Sequence, residues 1–391
     1  MIKLSNGYNL GILVDQEIVI RKIGKGEKPA FSTPPIPEQN LALPEVVIVS
    51  TGGTIASRVD YRTGGVRPAL TASDLYSIVP ELSSIAAIKT QILSSKFSEN
   101  ITPKDWSQLA KHIANQIESK ATGIVVAHGT DTMGYTAAAL SFALQNLPVP
   151  VILVGSQRSA DRPSSDAAVN LIGAVKAAAN APFAEVAIAM HETVSDDSMV
   201  FHRGVRVRKC HTSRRDAFQS INSEPLARFE RNRIRMTKSN YRERDTTRKL
   251  LLKPRFDDRV ALIKFYPGAD GKIISWYVDN GFKGIVMEGT GLGHVSSKYI
   301  LALKRAIEDK VLVGMTSQCI WGRVNLNVYD TGRELIKIGV IPLEDMFPET
   351  ALVKMMWILG QTKDPEKAKN FLTQNVTKEF SDRTKFQENN R

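Results

Sequence analysis

The chain's 391 residues are 42% hydrophobic and 24% charged, and its formal net charge is +12. This is the composition of a globular chain, for which disorder is not the expectation, and it provides for a large apolar core in two to three domains. No stretch approaches the roughly 20 apolar residues that span a bilayer. The start MIKLSNGYNLGI lacks the charged, apolar and small-residue order of a secretory signal, so a cytoplasmic location is expected. Cys210 and Cys319 have neither partner cysteines nor metal-ligand spacing and read as packing residues.

In chain order, residues 1–28 hold short apolar pieces, Leu10 to Val14 and Glu17 to Ile23, broken by Asn6-Gly7 and Gly24-Lys25-Gly26. They read as strands with tight turns, part of a small β domain. Five prolines between Pro29 and Pro44 forbid helix interior and central strand and predict an extended linker, placing a boundary near residue 45. Then strand and helix patterns alternate: strand Val46–Ser50, helix near Ala72–Val79, strand Thr122–Ala127, helix Thr136–Gln145, strand Val149–Val154, helix Ala167–Asn180 and strand Val186–Met190. The rhythm stops at the polar stretch Arg228–Arg255. It resumes with strands Val260–Phe265, Gly284–Met287 and Val311–Thr316 and helices Ser297–Lys310 and Pro348–Leu359. Continuous apolar strands separated by helices predict parallel sheets buried on both faces. The expected architecture is α/β: two parallel-sheet domains, 46–256 and 257–391, after the short β segment.

The positive charge is clustered. Arg228–Arg255 holds eleven Lys or Arg against Glu230, Glu243 and Asp245, and Arg203, Arg206, Arg208, Lys209, Arg214 and Arg215 follow one another with no acid between them. A solvated face and a surface for a polyanion such as nucleic acid both fit this pattern.

Two threonine-bearing loops fall at strand ends, where parallel sheets build binding crevices. Thr51-Gly52-Gly53-Thr54 follows the first strand, and His128-Gly129-Thr130-Asp131-Thr132 follows the next. Glycines allow the backbone close to a ligand, and a threonine hydroxyl becomes a nucleophile once a base takes its proton. A turn with a helix cap is the bland alternative. Neither TGGTIA nor Gly289-Thr290-Gly291-Leu292-Gly293-His294 makes a dinucleotide or phosphate loop, so no nucleotide cofactor is expected. His128 reads as structural, and His191-Glu192 lacks the second histidine of a zinc protease, so no metal is expected. Lys209, among arginines, is either a base with a lowered pKa or a surface cation.

The segments VVIVSTGGTIAS, VVAHGTDTMGYTAAALSFAL, PVILVGSQRSADRPSSDAAVNL and LGQTKDP resemble bacterial-type L-asparaginases over residues 46 to 370. The resemblance implies an asparaginase-like fold with Thr54 as nucleophile, Thr130, Asp131 and Lys209 completing the catalytic group, and Gly53 at the substrate. The family's Ser-Gln pair that grips the substrate's α-groups falls on Ser98-Glu99, a departure. Its mobile-loop tyrosine has no aligned counterpart, and Tyr61 lies in the same loop.

DYRTGGVRPALTASDL, HRGVRVRKCHTSRRDAFQSIN and the leader SNGYNLGI with FSTPPIP are similar to the D subunits of archaeal glutamyl-tRNA(Gln) amidotransferases. That resemblance implies a cytoplasmic protein that releases ammonia from glutamine. A partner, the E subunit, uses ATP and Mg2+ to convert Glu-tRNA(Gln) to Gln-tRNA(Gln), within a D2E2 heterotetramer built on a D homodimer. The chain itself would need no cofactor, and the family's small N-terminal β domain is matched only in part. Two other readings remain open: a stand-alone asparaginase or glutaminase, and an inactive tRNA-binding protein.

Overall fold

The computed structural model describes residues 40–53, 79–159, 164–237 and 239–384, single residues at 19, 21, 24 and 55, and the backbone of 2–3, 9–10, 57–59 and 66–68. Most of the expected N-terminal β segment and of the helix near Ala72–Val79 lies outside the described residues, as do Thr54 and Tyr61. Within the first segment, Ile2–Lys3 pairs antiparallel with Asn9–Leu10.

Val46 to Val49, Ile124 to Val126 and Val151 to Val154 are β-branched or leucine and almost wholly buried, which a strand achieves only when helices cover both faces of its sheet. Among the described residues eight strands form that sheet. Their order is Arg233–Met236, Ala227–Glu230, Ser198–Arg203, Val186–His191, Val151–Val154, Gly123–Ala127, Glu45–Ser50, Ala87–Ile92. Alternation along each strand divides the core. Val46, Ile48, Val125 and Ile152 join Leu171, Ala174 and Val175 of helix Ala167–Asn180. Val47, Val49, Ile124 and Val126 join Leu109 and Ile113 of helix Pro103–Glu118 and Leu140 of helix Met133–Ala143.

The sheet departs from the expected all-parallel arrangement. The five strands from Val186–His191 to Ala87–Ile92 run parallel, whereas the other three pair antiparallel. Two of those three come from the start of the basic stretch, where the sequence shows a break in the α/β rhythm. They form a hairpin whose turn residues, Arg231 and Asn232, both have positive φ, a two-residue turn that matches strand twist. One face of the hairpin, Phe229, Ile234 and Met236, packs on the core. Arg228, Arg233 and Arg235 on the other face are exposed, the one-sided pattern of an antiparallel edge.

A second, parallel sheet runs Val260–Lys264, Gly284–Gly289, Leu312–Ser317, Ile341–Pro342. Helix Pro348–Gln361 packs between this sheet and helix Met133–Ala143: Met355 meets Val286 on one side, and Trp357 stacks on Phe142 at 5.6 Å between ring centroids on the other. Covered on both sides, helix Met133–Ala143 is apolar nearly all round, and it begins three residues before the expected Thr136. Cys210 and Cys319 are exposed and free, so neither is the packing residue that its isolation implied.

Candidate active site

Strands Glu45–Ser50 and Gly123–Ala127 lie side by side in parallel register, Ser50 opposite Ala127, so their loops leave the sheet together. Thr51 continues the pairing, its N–H and its Oγ1 both donating to the Ala127 carbonyl at 3.0 and 3.1 Å. Gly52 and Gly53 follow with φ of 115° and 91°. A Cβ on Gly52 would lie 2.8 Å from the Lys96 nitrogen, and one on Gly53 2.6 Å from the Gly129 Cα. The two glycines are therefore required twice over, by φ and by the approach of neighbouring backbone. Gly129 and Gly155 close the packing: a Cβ on them would meet Ser98 Cβ at 2.7 Å and Thr130 Cγ2 at 2.8 Å. Sequence reasoning passes over Gly155, although its place one residue after strand Val151–Val154 is the available signal.

Lys209 ends the short strand Val207–Lys209, which pairs antiparallel with Phe218–Ser220. Its Nζ donates to Thr130 Oγ1 at 2.9 Å and to Asp131 Oδ1 at 2.7 Å. Thr130 is buried, and the Lys209 side chain is 14% exposed against 69% for Asp131. One face of the cluster is thus sealed and the other open to a ligand. The structure brings together Thr130, Asp131 and Lys209, with Gly53 pressed on the same loop. Ser98 is buried beside Gly129, and its carbonyl accepts from Thr132 Oγ1 at 2.7 Å. Glu99 is exposed on the same short turn. Thr54 directly follows Gly53 in the chain.

His128 belongs to the scaffold. Its Nδ1 donates to the Gly129 carbonyl at 2.7 Å, and its Nε2 accepts from Thr136 Oγ1 at 2.9 Å. The Thr136 hydroxyl in turn accepts from Trp106 Nε1 at 3.1 Å. Burial depresses the imidazole pKa to about 4. His191 likewise has both nitrogens occupied, by Asn170 at 2.7 Å and Asp196 at 3.0 Å. Among the described residues no group of three or more His, Cys, Asp and Glu has the geometry to hold a metal.

Every cation of the run from Arg203 to Arg215 has an acid partner outside that run. The pairs are Arg203–Glu185 at 2.6 Å, Arg206–Asp345 at 3.1 Å, Arg208–Glu349 at 2.9 Å, Lys209–Asp131 at 2.7 Å, Arg214–Asp216, and Arg215–Asp196 at 2.7 Å. In the downstream stretch Arg244 reaches the carbonyls of Thr122, Ala178, Ala179 and Ala181, and Arg248 those of Leu147 and Glu243. What remains facing water there includes the hairpin arginines Arg231, Arg233 and Arg235.

Two α/β sheets with a Thr-Asp-Lys cluster beside a glycine-rich strand end define a chain of the asparaginase class. Residues 45–242 match the asparaginase N-terminal family and 259–372 the glutaminase/asparaginase C-terminal domain. The L-asparaginase of Thermococcus kodakarensis superimposes with a TM-score of 0.77 at 31% identity, covering 86% of this chain and 99% of that one. L-asparaginase I of Vibrio cholerae gives 0.77 at 30%, covering 87% and 99%. The similarity is higher to the D subunit of glutamyl-tRNA(Gln) amidotransferase from Thermofilum pendens, 51% identical over 99% of this chain and 87% of that one. The protein of that name from Pyrococcus abyssi is 50% identical over 99% and 88%. The chain belongs to the family of glutamyl-tRNA(Gln) amidotransferase D subunits, a branch of the asparaginases.

Proposed function

We propose that this chain is the glutamine-hydrolysing component of a tRNA-dependent amidotransferase. The observation that carries the reading is the contact of the Lys209 amine with both Thr130 and Asp131 at the strand ends. Thr54 Oγ attacks the side-chain amide carbon of glutamine, and the C–N bond breaks to release ammonia and leave an ester on Thr54. Water then hydrolyses that ester to glutamate. Lys209, through the Thr130 hydroxyl, moves the proton from the attacking oxygen to the leaving nitrogen, while Asp131 holds the lysine in place. Backbone N–H groups of the glycine loops stabilise the oxyanion. Ser98 and Glu99 grip the α-groups of the amino acid, the Glu99 carboxylate pairing with the α-ammonium, and Tyr61 is a further substrate-binding residue.

No cofactor is needed for these steps. The ammonia is consumed by a partner, the E subunit of the amidotransferase, which uses ATP and Mg2+ to activate the glutamate carried by tRNA(Gln), in a cytoplasmic D2E2 assembly built on a dimer of this chain. The test is to purify the chain with that partner and measure glutamine-dependent formation of Gln-tRNA(Gln). Rapid hydrolysis of asparagine by the chain alone, with no amide reaching tRNA, would instead identify a stand-alone asparaginase.

A further inference from the structure

The ribbon of Val207–Lys209 and Phe218–Ser220 belongs to neither main sheet. Successive side chains along a strand point to opposite sides, and here the two sides serve different sheets. Val207 is in the core with Met133 and Leu140, and Lys209 reaches Thr130 and Asp131. Arg206 and Arg208 face the other way. Arg206, 1% exposed, pairs with Asp345 at 3.1 Å and donates to Ser381 Oγ at 2.8 Å. Arg208 Nε lies 2.9 Å from Glu349 Oε1, in the first turn of helix Pro348–Gln361. Beyond Lys209 the chain enters an exposed loop, residues 210–214. Arg208 is thus the last side chain before the loop to tie the ribbon to the second sheet's helix.

Glu349 sits there at a cost. Its Oε2 is buried with no hydrogen-bond partner. Burial pushes its carboxyl pKa up and nearby Glu288 adds to this, against the opposing pull of Arg208 and Lys264. Stability alone does not account for a carboxylate at this place; a glutamine would occupy it without the desolvation penalty of a charge.

We propose that Arg208 and Glu349 are positioning residues for the ammonia-releasing reaction: Glu349 holds Arg208, and Arg208 fixes the end of the ribbon so that the adjacent Lys209 reaches Thr130. The proposal rests on the catalytic reading of Lys209 given above. A lysine has a long flexible stem, and displacement of a catalytic group by about 1 Å is enough to cost on the order of 10²-fold in rate.

The test compares Glu349→Gln, Arg208→Gln, Arg208→Lys and the charge swap Arg208→Glu/Glu349→Arg in the full chain purified with its amidotransferase partner. Ammonia release from glutamine and thermal unfolding are measured on each. The expected result for Glu349→Gln is a kcat about tenfold lower or more, KM within about twofold, and an unchanged or raised Tm. Arg208→Lys should keep more of kcat than Arg208→Gln, and the swap should recover part of the loss. A kcat within twofold of the parent in both Gln variants overturns the proposal, as does a kcat loss that merely follows a loss of Tm. Lys209→Met is the control: if it is inactive while Glu349→Gln is fully active, the positioning role alone fails. If Lys209→Met is itself active, the catalytic reading fails first and the proposal with it.

Discussion

Replacing Lys209 by methionine separates the chemistry of the cluster from its contribution to the fold. The substitution keeps the apolar stem and removes the two hydrogen bonds, to Thr130 at 2.9 Å and Asp131 at 2.7 Å. On the stability side the ion pair counts for little, because the Asp131 side chain is 69% exposed. Pairs of that kind are worth ~0–1 kcal/mol, and the lost bond to the Thr130 hydroxyl adds about 1 kcal/mol. A domain of this size then loses only a few degrees in Tm. On the catalytic side, removal of a positioned proton carrier costs on the order of 10²–10⁴ in rate, about 2.7–5.5 kcal/mol of transition-state stabilisation. The expected outcome is thus a folded and inactive protein. Coupled-enzyme detection of ammonia, run beside a thermal melt, checks both halves. Ammonia release within tenfold of the parent would refute the assignment, and so would a Tm drop large enough to explain the loss by unfolding. Lys209→Arg refines the result, since arginine keeps the charge but does not give up its proton. If it stays active, the amine serves as a fixed charge and not as a proton carrier.

Gly53→Ala places a methyl group 2.6 Å from Gly129 Cα at a φ of 91°. We expect loss of activity with destabilisation on the order of 1–3 kcal/mol, and normal ammonia release would show that the loops can part. Lys354 and Glu379 form an ion pair with both side chains at 0% exposure, so Glu379→Ala strands a buried ammonium. A loss of about 3–5 kcal/mol in denaturant-derived stability is expected, and a loss under about 1 kcal/mol would overturn that account. His128 and His202 have folded pKa values of about 4 and about 3, depressed by burial. The unfolded chain therefore binds more protons below pH 6.5, and stability falls as pH drops, by roughly 2 kcal/mol per histidine at pH 5. The slope of unfolding free energy between pH 7 and 5 should flatten in His202→Gln, and an unchanged slope would count against the burial argument.

Four of the five parallel strands of the first sheet were legible because burial on both faces writes an uninterrupted apolar run, as in Val46–Ser50 and Val149–Val154; the fifth, Ala87–Ile92, lies at the sheet edge with polar, partly exposed residues and was missed. Helix Ala167–Asn180 was legible to the residue. Helix Pro103–Glu118 was passed over although its start is signalled by a capping box, Thr102 with Asp105. Ala227–Glu230 and Arg233–Met236 were missed for a different reason. Their outward arginines raise the local polarity until a strand pair resembles a loop, and only the alternation Phe229, Ile234, Met236 betrays it. For the site, the two glycine-threonine loops follow from strand ends. The lysine that meets the second of them is 78 residues from Asp131, and no local pattern connects those positions; resemblance supplied that link. The partners of Arg206 and Arg208 were out of reach in the same way, since Asp345 and Glu349 come from beyond the second sheet.

Clustered cations in a sequence state how many charges a segment carries and nothing about where their partners are. Arg244 illustrates the difference: its planar fork satisfies four backbone carbonyls at once, a use of guanidinium that lysine cannot copy. The net surplus of eight between Arg228 and Arg255 therefore overstates the surface available to a polyanion. If all eight met phosphates, the salt dependence of tRNA binding would have a log–log slope near −7, at ~0.9 per phosphate. The exposed hairpin residues Arg231, Arg233 and Arg235 account for a slope of about −3 at most. Changing these three to glutamine in the complex with the amidotransferase partner should make the measured slope shallower by about 3, if the hairpin meets RNA. Changing Arg244 and Arg248 should lower stability and leave the slope alone. The reverse pattern would mean that the arginines bonded to backbone are the ones that exchange their carbonyls for phosphate, and that the hairpin arginines serve only to keep an edge strand from pairing with another chain.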